Sequence, residues 1–220
     1  MIRVRQTRRA EKTGNQSIRE DTALWATRLL GVNSVGRKSN LNIGLFDFEM
    51  SNLNADFGIL LCGVVKDFGR GKKGEHIFRI DDTPGYRKSP WDDHKLATDL
   101  RDALVPYDII VSYNGRRFDV PFLNTRLTIY DEKPLMGLKH VDLLYVVKYG
   151  LHLHSASLES AQQFFNLPEE KSKIEAARWI KALTGNKEDM DYIVDHCKRD
   201  VAVLEAVFNR TKHLIRSIHV

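Results

Sequence analysis

The stretch that most constrains this chain is residues 43–53, an apolar segment (IGLFDFEMSNL) that carries Asp47 and Glu49. If the segment is a strand, side chains two positions apart share a face, so both carboxylates point the same way. Apolar residues on both faces predict a central strand of a helix-covered sheet. Two carboxylates at its end would repel each other and lose solvent unless a cation neutralised them. The alternative is that the strand ends there and both carboxylates lie in water.

The size and composition are those of one soluble globular domain with a short appendage. The chain has 220 residues and a mass of 25.3 kDa, with 42% hydrophobic and 29% charged residues. Its longest apolar run, residues 59–65, is far too short to span a bilayer, so we expect no membrane segment. Cys62 and Cys197 lie in unrelated segments and form neither a disulfide framework nor a zinc pattern. A reducing cytoplasm is therefore the expected location.

The positive charge is concentrated at the N-terminus. Residues 1–40 hold nine Lys/Arg against three Asp/Glu, a balance of +6, so residues 41–220 sum to −1 within the total of +5. We divide the chain into a basic, partly helical N-terminal extension (1–40) and one domain (41–220). A basic arm commonly binds a polyanion, although a solvated terminal extension has the same composition.

The pattern along the domain predicts a mixed α/β sheet. Apolar periodicity and turn residues predict strands at 56–68 and 75–80, a helix at 92–104, a strand at 108–113, a helix at 120–129 and an extended piece at 140–143. Everything after residue 157 is predicted to be helical. Three strands in an antiparallel meander, followed by strands linked through helices, indicate a mixed sheet flanked by helices.

Two further stretches carry candidate chemistry. Asp119 follows a strand end and a loop and precedes Pro121, so helix capping alone could explain it. His196 and Asp200 are four residues apart in a helix, which places them on one face. A simple helical charge pair is the alternative interpretation of these two residues.

Together the three stretches resemble the DEDD-type 3′–5′ exonucleases of the ribonuclease H-like superfamily, in particular the proofreading-type domains of family B DNA polymerases and their stand-alone relatives. The first motif of that family, Asp-x-Glu, matches Asp47 and Glu49. The last motif, Asp followed by a small apolar residue, matches Asp200. The middle motif is the most specific, and it is matched by Asn114, Phe118, Asp119, Pro121, Phe122 and Leu123. The resemblance covers residues 41–212 and implies a ribonuclease H-like fold.

The resemblance also implies a cofactor and roles for the carboxylates. Phosphodiester hydrolysis develops negative charge on the attacking and leaving oxygens, and two divalent cations stabilise both. Carboxylate oxygens suit Mg²⁺ or Mn²⁺. By resemblance, Asp47 would bridge the two cations, Glu49 and Asp200 would help to hold the first, and Asp119 would act mainly on the second through water.

The substrate contacts and the fifth catalytic residue follow less directly from the resemblance. Leu53 matches an apolar residue that wedges against the terminal bases, and the backbone of Met50 would contact the 3′ end. Asn114 and Phe118 belong to the same substrate-binding set. One branch of the family has Tyr four positions before the last Asp and the other has His five positions before it. This chain has His196 at the fourth position, which leaves its branch open and makes His196 the candidate that activates the attacking water.

The expected activity is a metal-dependent 3′–5′ exonuclease acting on DNA, with single-stranded ends preferred because the site must accept a frayed terminus. One alternative is an RNA-directed or structure-specific nuclease with the same ligands. Another is a DNA-binding protein whose basic residues 1–40 are the functional part and whose nuclease site is a relic. An intact carboxylate set disfavours the relic, since clustered anions would repel a phosphate.

Overall fold

The computed structural model describes residues 41–168 and 175–219. The predicted basic extension, residues 1–40, lies outside the described residues. The strands are β1 (Ile43–Met50), β2 (Leu60–Asp67), β3 (Glu75–Arg79), β4 (Ile109–Ser112) and β5 (Lys139–Asp142). The α-helices in the described ranges are α1 (His94–Leu104), α2 (Asp119–Ile129), α3 (Leu143–Gly150), α4 (Leu158–Phe164), α5 (Ala176–Leu183) and α6 (Lys187–Thr211). Short 3-10 turns follow β2, β3 and α6.

The five strands form one mixed sheet in the order β3-β2-β1-β4-β5. β1 pairs antiparallel with β2, and β2 pairs antiparallel with β3, which is the predicted meander. β1 pairs in parallel with β4, and β4 in parallel with β5. The expected ribonuclease H-like architecture, an antiparallel meander plus parallel strands flanked by helices, is confirmed.

Helices pack on both faces of the sheet. A Cβ atom added to Gly63 of β2 would lie 2.5 Å from Leu100 of α1, so this glycine allows α1 to approach the strand closely. The neighbouring Cys62 points to the opposite face, where it meets Cys197 of α6. β1 therefore lies between helical layers, which explains why apolar side chains occupy both of its faces.

The long helix α6 is capped at its N-terminus and held in place by packing against the sheet. The Asn186 side chain accepts a hydrogen bond from the backbone N–H of Asp189, and acidic residues fill the first turn. Its apolar stripe, which includes Ile193, Val201 and Phe208, is buried against β1 and β2. This packing determines where Asp200 and His196 lie relative to the C-terminal end of β1.

The predicted secondary structure differs from the structure in three places. The second strand begins at Leu60 and not at residue 56, because Asn52, Asn54 and Gly58 favour turns and the Ser51 N–H donates to the Ile59 carbonyl, which makes residues 51–59 a loop. Helix α3 was not predicted, since Leu143 follows β5 with no separating turn residue. The prediction of helix to the end is wrong at the C-terminus, where His219 instead forms an antiparallel bridge with His140 of β5.

Within residues 41–168 and 175–219, no helix has the length and apolarity needed to cross a membrane.

Candidate active site

The site is built at the end of β1, where the pairing on its two sides differs. Pairing with β4 runs from Ile43 to Leu45, whereas pairing with β2 continues through Asp47 and Glu49. Beyond Leu45, one edge of β1 therefore meets the loop that follows β4. Asp47 and Glu49 are half-buried side chains on this final part of the strand.

Asp119 binds the edge of β1 beyond Leu45, where β4 no longer pairs with it. Its Oδ1 atom accepts a hydrogen bond of 3.0 Å from the Phe48 N–H of β1, across 71 positions of sequence. Asp119 is the first residue of α2 and is buried. Helix capping alone therefore does not explain this residue, because its carboxylate joins the second motif to the first.

The loop that delivers Asp119 is tightly packed. A Cβ at Gly115 would lie 2.5 Å from Ser112 Oγ and 3.2 Å from Asp119 Oδ2, so a larger residue would displace the carboxylate. Asn114 has a φ of 65°, in the left-handed region that Asn tolerates better than most residues. These two positions explain the Asn-Gly pair of the middle motif.

A residue that the sequence analysis missed holds this loop in place. The carboxylate of Asp142, at the end of β5, accepts from the N–H groups of Asn114 at 2.7 Å and Arg116 at 3.1 Å. It also accepts from the Leu144 N–H, which caps α3. In the sequence, Asp142 resembles any Asp at a strand end, and nothing there points to a partner 28 residues earlier.

Helix α6 brings the third motif to the same place. The Nε2 atom of His196 lies 3.8 Å from Glu49 Oε1 and 3.7 Å from Asp200 Oδ2. His196 is buried, and its ring is placed between the two carboxylates. The interpretation of His196 and Asp200 as a surface charge pair on one helix is therefore incomplete, since Glu49 of β1 is part of the group.

Cys197 forms the contact between α6 and β1. Its thiol donates to the Asp47 backbone carbonyl at 3.2 Å and is fully buried. Burial raises the pKa of the Cys197 thiol well above its ordinary value, and the Cys62 thiol and the carboxylates of Asp47 and Glu49 add to the rise. The thiol therefore stays protonated in the metal-free protein, and its sulfur and the oxygens of these carboxylates all lie within 4.8 Å of one another.

The electrostatics show how close the four carboxylates are. Loss of solvent raises the pKa of Asp47 well above its ordinary value, and Asp119, Glu49 and Asp200 raise it further. Loss of solvent also raises the pKa of Asp119 to about 7, against the lowering effect of the Phe48 N–H. Three chain segments therefore contribute to one anionic cluster whose charged form is unfavourable without a cation.

This donor set fits divalent cations such as Mg²⁺ or Mn²⁺. The carboxylates supply hard oxygen atoms, and their mutual repulsion is relieved by positive charge placed among them. The neighbouring groups that raise the pKa of Asp47 are the three other carboxylates that the sequence analysis selected as ligands. The clustering therefore supports a metal centre formed by Asp47, Glu49, Asp119 and Asp200.

The predicted substrate residues border the cluster. A pocket of about 250 Å³ is lined by Leu53, Arg117 and Phe118, together with Asn54, Ala55, Asp56, Pro121, Phe122 and Thr125. Leu53 is 76% exposed at the tip of the loop after β1. Met50 follows the irregular pairing at the end of β1, and Asn114 begins the loop to Asp119. The residues that line this pocket do not include the four carboxylates, so Leu53 and Phe118 lie beside the loops of the cluster and not among its oxygen atoms.

Two neighbours of His196 on α6 have partners other than the carboxylates that His196 approaches. Asp195, five positions before Asp200, is exposed and pairs with Lys198 at 3.1 Å. The Tyr192 ring lies 4.1 Å from the guanidinium of Arg178. His196 is the residue of this turn that faces the carboxylates.

Comparisons with known proteins agree with this fold. A family model described as the RNase_H superfamily matches residues 45–212. Among solved structures, the family B DNA polymerase from the hyperthermophilic archaeon Pyrobaculum calidifontis aligns with a TM-score of 0.61 and 18% sequence identity. The match covers 77% of this chain and 24% of the polymerase, so the likeness concerns about a quarter of that protein. A search among curated proteins gives no match.

Proposed function

This chain belongs to the ribonuclease H superfamily, and from that premise we propose that it is a metal-dependent 3′–5′ exonuclease acting on DNA ends, with single-stranded ends preferred. The observation that carries the proposal is the convergence of Asp119, Glu49 and Asp200 on Asp47 from three elements of the fold. The polarity of digestion and the choice of DNA rest on the resemblance to proofreading-type domains.

We assign the four carboxylates, Asp47, Glu49, Asp119 and Asp200, as ligands of two divalent cations, Mg²⁺ or Mn²⁺. Bound there, such cations would stabilise the negative charge that develops on the attacking and leaving oxygens and favour loss of a proton from the attacking water. The protein contributes rigid placement. β1 fixes Asp47 and Glu49, the Phe48 N–H orients Asp119, and α6 fixes Asp200.

His196 is proposed to accept the proton of the attacking water. Its Nε2 atom lies within 4 Å of both Glu49 and Asp200, so an imidazole that takes up a proton is stabilised by two adjacent carboxylates. General bases are placed within hydrogen-bond reach of the proton they remove, directly or through one water. The position of His196 beside the cluster supports this role.

The 3′ terminus is proposed to enter over the loop after β1. Leu53 is exposed and shares a pocket with Phe118, so a terminal base can insert between these apolar side chains. The Met50 backbone follows Glu49 at the end of β1, and Asn114 begins the loop that leads to Asp119, so both are adjacent in the chain to proposed metal ligands. Arg117 lines the same pocket and offers a positive charge to a phosphate.

One assay tests the activity and its alternatives. The protein is incubated with 5′-labelled single- and double-stranded DNA and RNA, in Mg²⁺, Mn²⁺ or chelator. A ladder that shortens from the 3′ end of single-stranded DNA, and that disappears in chelator and in Asp47→Asn, is expected. Asp195→Asn is the matched control, because it neutralises an exposed carboxylate of α6 that pairs with Lys198.

Each other outcome of this assay selects an alternative. Faster cleavage of RNA supports the RNA-directed nuclease, and cleavage of the duplexes without cleavage of single strands supports a structure-specific enzyme. Absence of cleavage in any metal, together with retention of the same labelled DNA in a gel-shift experiment, supports a DNA-binding protein with a relic site. Cleavage by Asp47→Asn at the wild-type rate would contradict the metal centre.

We further propose that residues 1–40 add affinity for nucleic acid through phosphate contacts, because they carry +6 whereas residues 41–220 carry −1. Each phosphate that a protein neutralises releases counterions, so their deletion should weaken binding and flatten its salt dependence. An unchanged slope of log affinity against log salt would assign these residues to packing or to a protein partner.

A further inference from the structure

Helix α3, which follows the edge strand β5, carries a surface with the composition of a nucleic-acid-binding site. On helix α3, Leu143 and Val147 are buried, while Tyr149 is 75% exposed and Lys148 is exposed. Tyr145 lies one turn before Tyr149, so their rings share a face of the helix. The two ring planes are within 10° of parallel with centroids 6.3 Å apart. We call Tyr145, Lys148 and Tyr149 the α3 aromatic surface.

The charge on this surface suits a polyanion. The Nζ atom of Lys148 lies 5.5 Å from the centroid of the Tyr149 ring, so the ring presents a base-stacking face beside a cation. Arg116 and Arg117 are exposed in the neighbouring loop. Basic and aromatic side chains therefore occur together here, whereas the adjacent cluster at β1 is acidic.

The structure ties the α3 aromatic surface to the active-site loop. Asp142 immediately precedes α3, and its carboxylate holds the N–H groups of Asn114, Arg116 and Leu144. The loop that contains Asn114 and Arg116 ends at Asp119. Tyr145 is three residues after Asp142, which is about 4.5 Å of helix. A single nucleic-acid strand whose 3′ end lies at Asp119 can therefore continue over Arg116 towards α3.

We propose that the α3 aromatic surface binds the single-stranded segment on the 5′ side of the terminal nucleotides, by stacking bases on Tyr145 and Tyr149 and placing a phosphate near Lys148. Base stacking on aromatic side chains tolerates any sequence, as an exonuclease requires. Bases of a duplex are already stacked on one another, so the surface selects single strands. The direction of the strand rests on the proposed exonuclease function, but binding itself does not.

The test measures binding in chelator, where cleavage cannot occur. Fluorescence anisotropy of labelled oligonucleotides compares wild type with Tyr145→Ala/Tyr149→Ala, using a trinucleotide and a 12-mer of DNA and of RNA. The double variant should lose about 5- to 150-fold in affinity for the 12-mer per stacked base and little for the trinucleotide. Tyr145→Phe/Tyr149→Phe should keep the affinity, because Phe retains the ring.

Two controls isolate stacking on this surface. Phe164→Ala removes an exposed aromatic ring from α4 and should leave both affinities unchanged. A 12-mer that is abasic beyond its three 3′-terminal nucleotides keeps the phosphates but has no bases to stack, so wild type and double variant should bind it equally. If the double variant unfolds, Tyr149→Ala alone carries the test, since this ring is largely exposed.

The proposal is overturned if the Ala variants bind the normal 12-mer as tightly as wild type, or lose affinity equally for the trinucleotide or the abasic 12-mer. It is confined to DNA or to RNA if only one sugar shows the loss. Cleavage of the 12-mer from its 3′ end in Mn²⁺ tests the proposed function separately. Absence of that cleavage with intact 12-mer binding would remove the exonuclease and leave the binding surface.

Discussion

Two carboxylates of this protein, Asp93 and Asp47, have opposite electrostatic surroundings. Asp93, before α1, is completely buried, and Arg126 of α2 contacts both of its oxygens at 2.8–3.1 Å. The Tyr130 hydroxyl and the Leu60 N–H complete its hydrogen bonds at 2.7 and 2.8 Å. At the end of β1, by contrast, Asp47 is surrounded by three other carboxylates that raise its pKa.

The difference separates a structural site from a reactive one. Arg126 is permanently charged and joins α2 to Asp93, before α1, and to the Ala55 carbonyl, before β2, so its pair with Asp93 is neutral within the protein. His196 lies beside the β1 cluster, can gain and lose a proton, and is farther from its carboxylates, at 3.7–3.8 Å. The carboxylates around Asp47 therefore repel one another, whereas Asp93 is paired with a permanent cation.

Removing the cation of the structural group should have the largest effect on stability. Arg126→Leu leaves Asp93 buried without its partner and should lower the free energy of unfolding by about 3–5 kcal/mol, as measured by urea denaturation. The double variant Asp93→Leu/Arg126→Leu is the control, and it should recover part of the loss because no charge remains buried. A single variant as stable as wild type would show that Asp93 is neutralised in some other way.

Removing the titratable base from the reactive group should affect rate and not stability. His196→Ala should lose about 10²–10⁴-fold in cleavage rate, the usual contribution of a general base, while Mn²⁺ and DNA binding are kept. His196→Tyr should restore part of the rate if position matters more than residue type. His152→Ala, at an exposed histidine after α3, is the matched control. A nearly full rate in His196→Ala would remove His196 from the mechanism.

Asp142 lies between these two cases, since its carboxylate is satisfied by backbone N–H groups. Burial raises its pKa, and the hydrogen bonds from Asn114, Arg116 and Leu144 oppose the rise. Asp142→Ala should release the loop that delivers Asp119 and lower activity by about 10–100-fold, the usual effect of losing a partner behind a metal ligand. Asp142→Asn retains an acceptor oxygen and should lose less. Equal loss in both variants would indicate that the charge, not the positioning, matters.

The smallest expected effect is on the pH dependence of thermal stability in the metal-free protein, which should become less stable as the pH rises. Because the pKa of Asp119 is raised from 3.8 to about 7, its contribution to stability is present below pH 3.8 and is lost as the pH rises through about 7. In chelator, Asp47→Asn should therefore melt higher than wild type at pH 8, and the difference should shrink towards pH 5. At this chain length about 1 kcal/mol corresponds to about 2–4 °C. A difference independent of pH would contradict the repulsion among these carboxylates.

The sequence sufficed to predict the fold class and the residues of the anionic cluster, because their signals are local. Asp47 and Glu49 stand out in an apolar strand, and Asp119 lies in a motif of fixed spacing. Their convergence depends on contacts that no local pattern contains, such as the hydrogen bond from Phe48 to Asp119. His196 was selected by its spacing from Asp200 in the sequence. Its proximity to Glu49 could not be predicted, because it depends on how α6 is positioned against β1.

The residues that were missed are those whose partners are distant in sequence. Asp93 resembles a helix cap, yet its side chain binds Leu60 and Arg126, each 33 positions away. Asp142 resembles a strand terminus, and its partners belong to another loop. The end of the chain was predicted to be helical because nothing in its sequence shows that His140 offers an edge for His219.

The most direct test of the metal centre is a count of bound Mn²⁺ by electron paramagnetic resonance, without substrate and with substrate analogues that resist cleavage. We predict saturable binding of Mn²⁺ by wild type and Asp195→Asn, competed by Mg²⁺, with two ions per chain in the presence of the analogue. Asp47→Asn should bind fewer ions and weakly. Unchanged Mn²⁺ binding by Asp47→Asn, or none by wild type, would contradict the proposal that this cluster is a divalent-metal site.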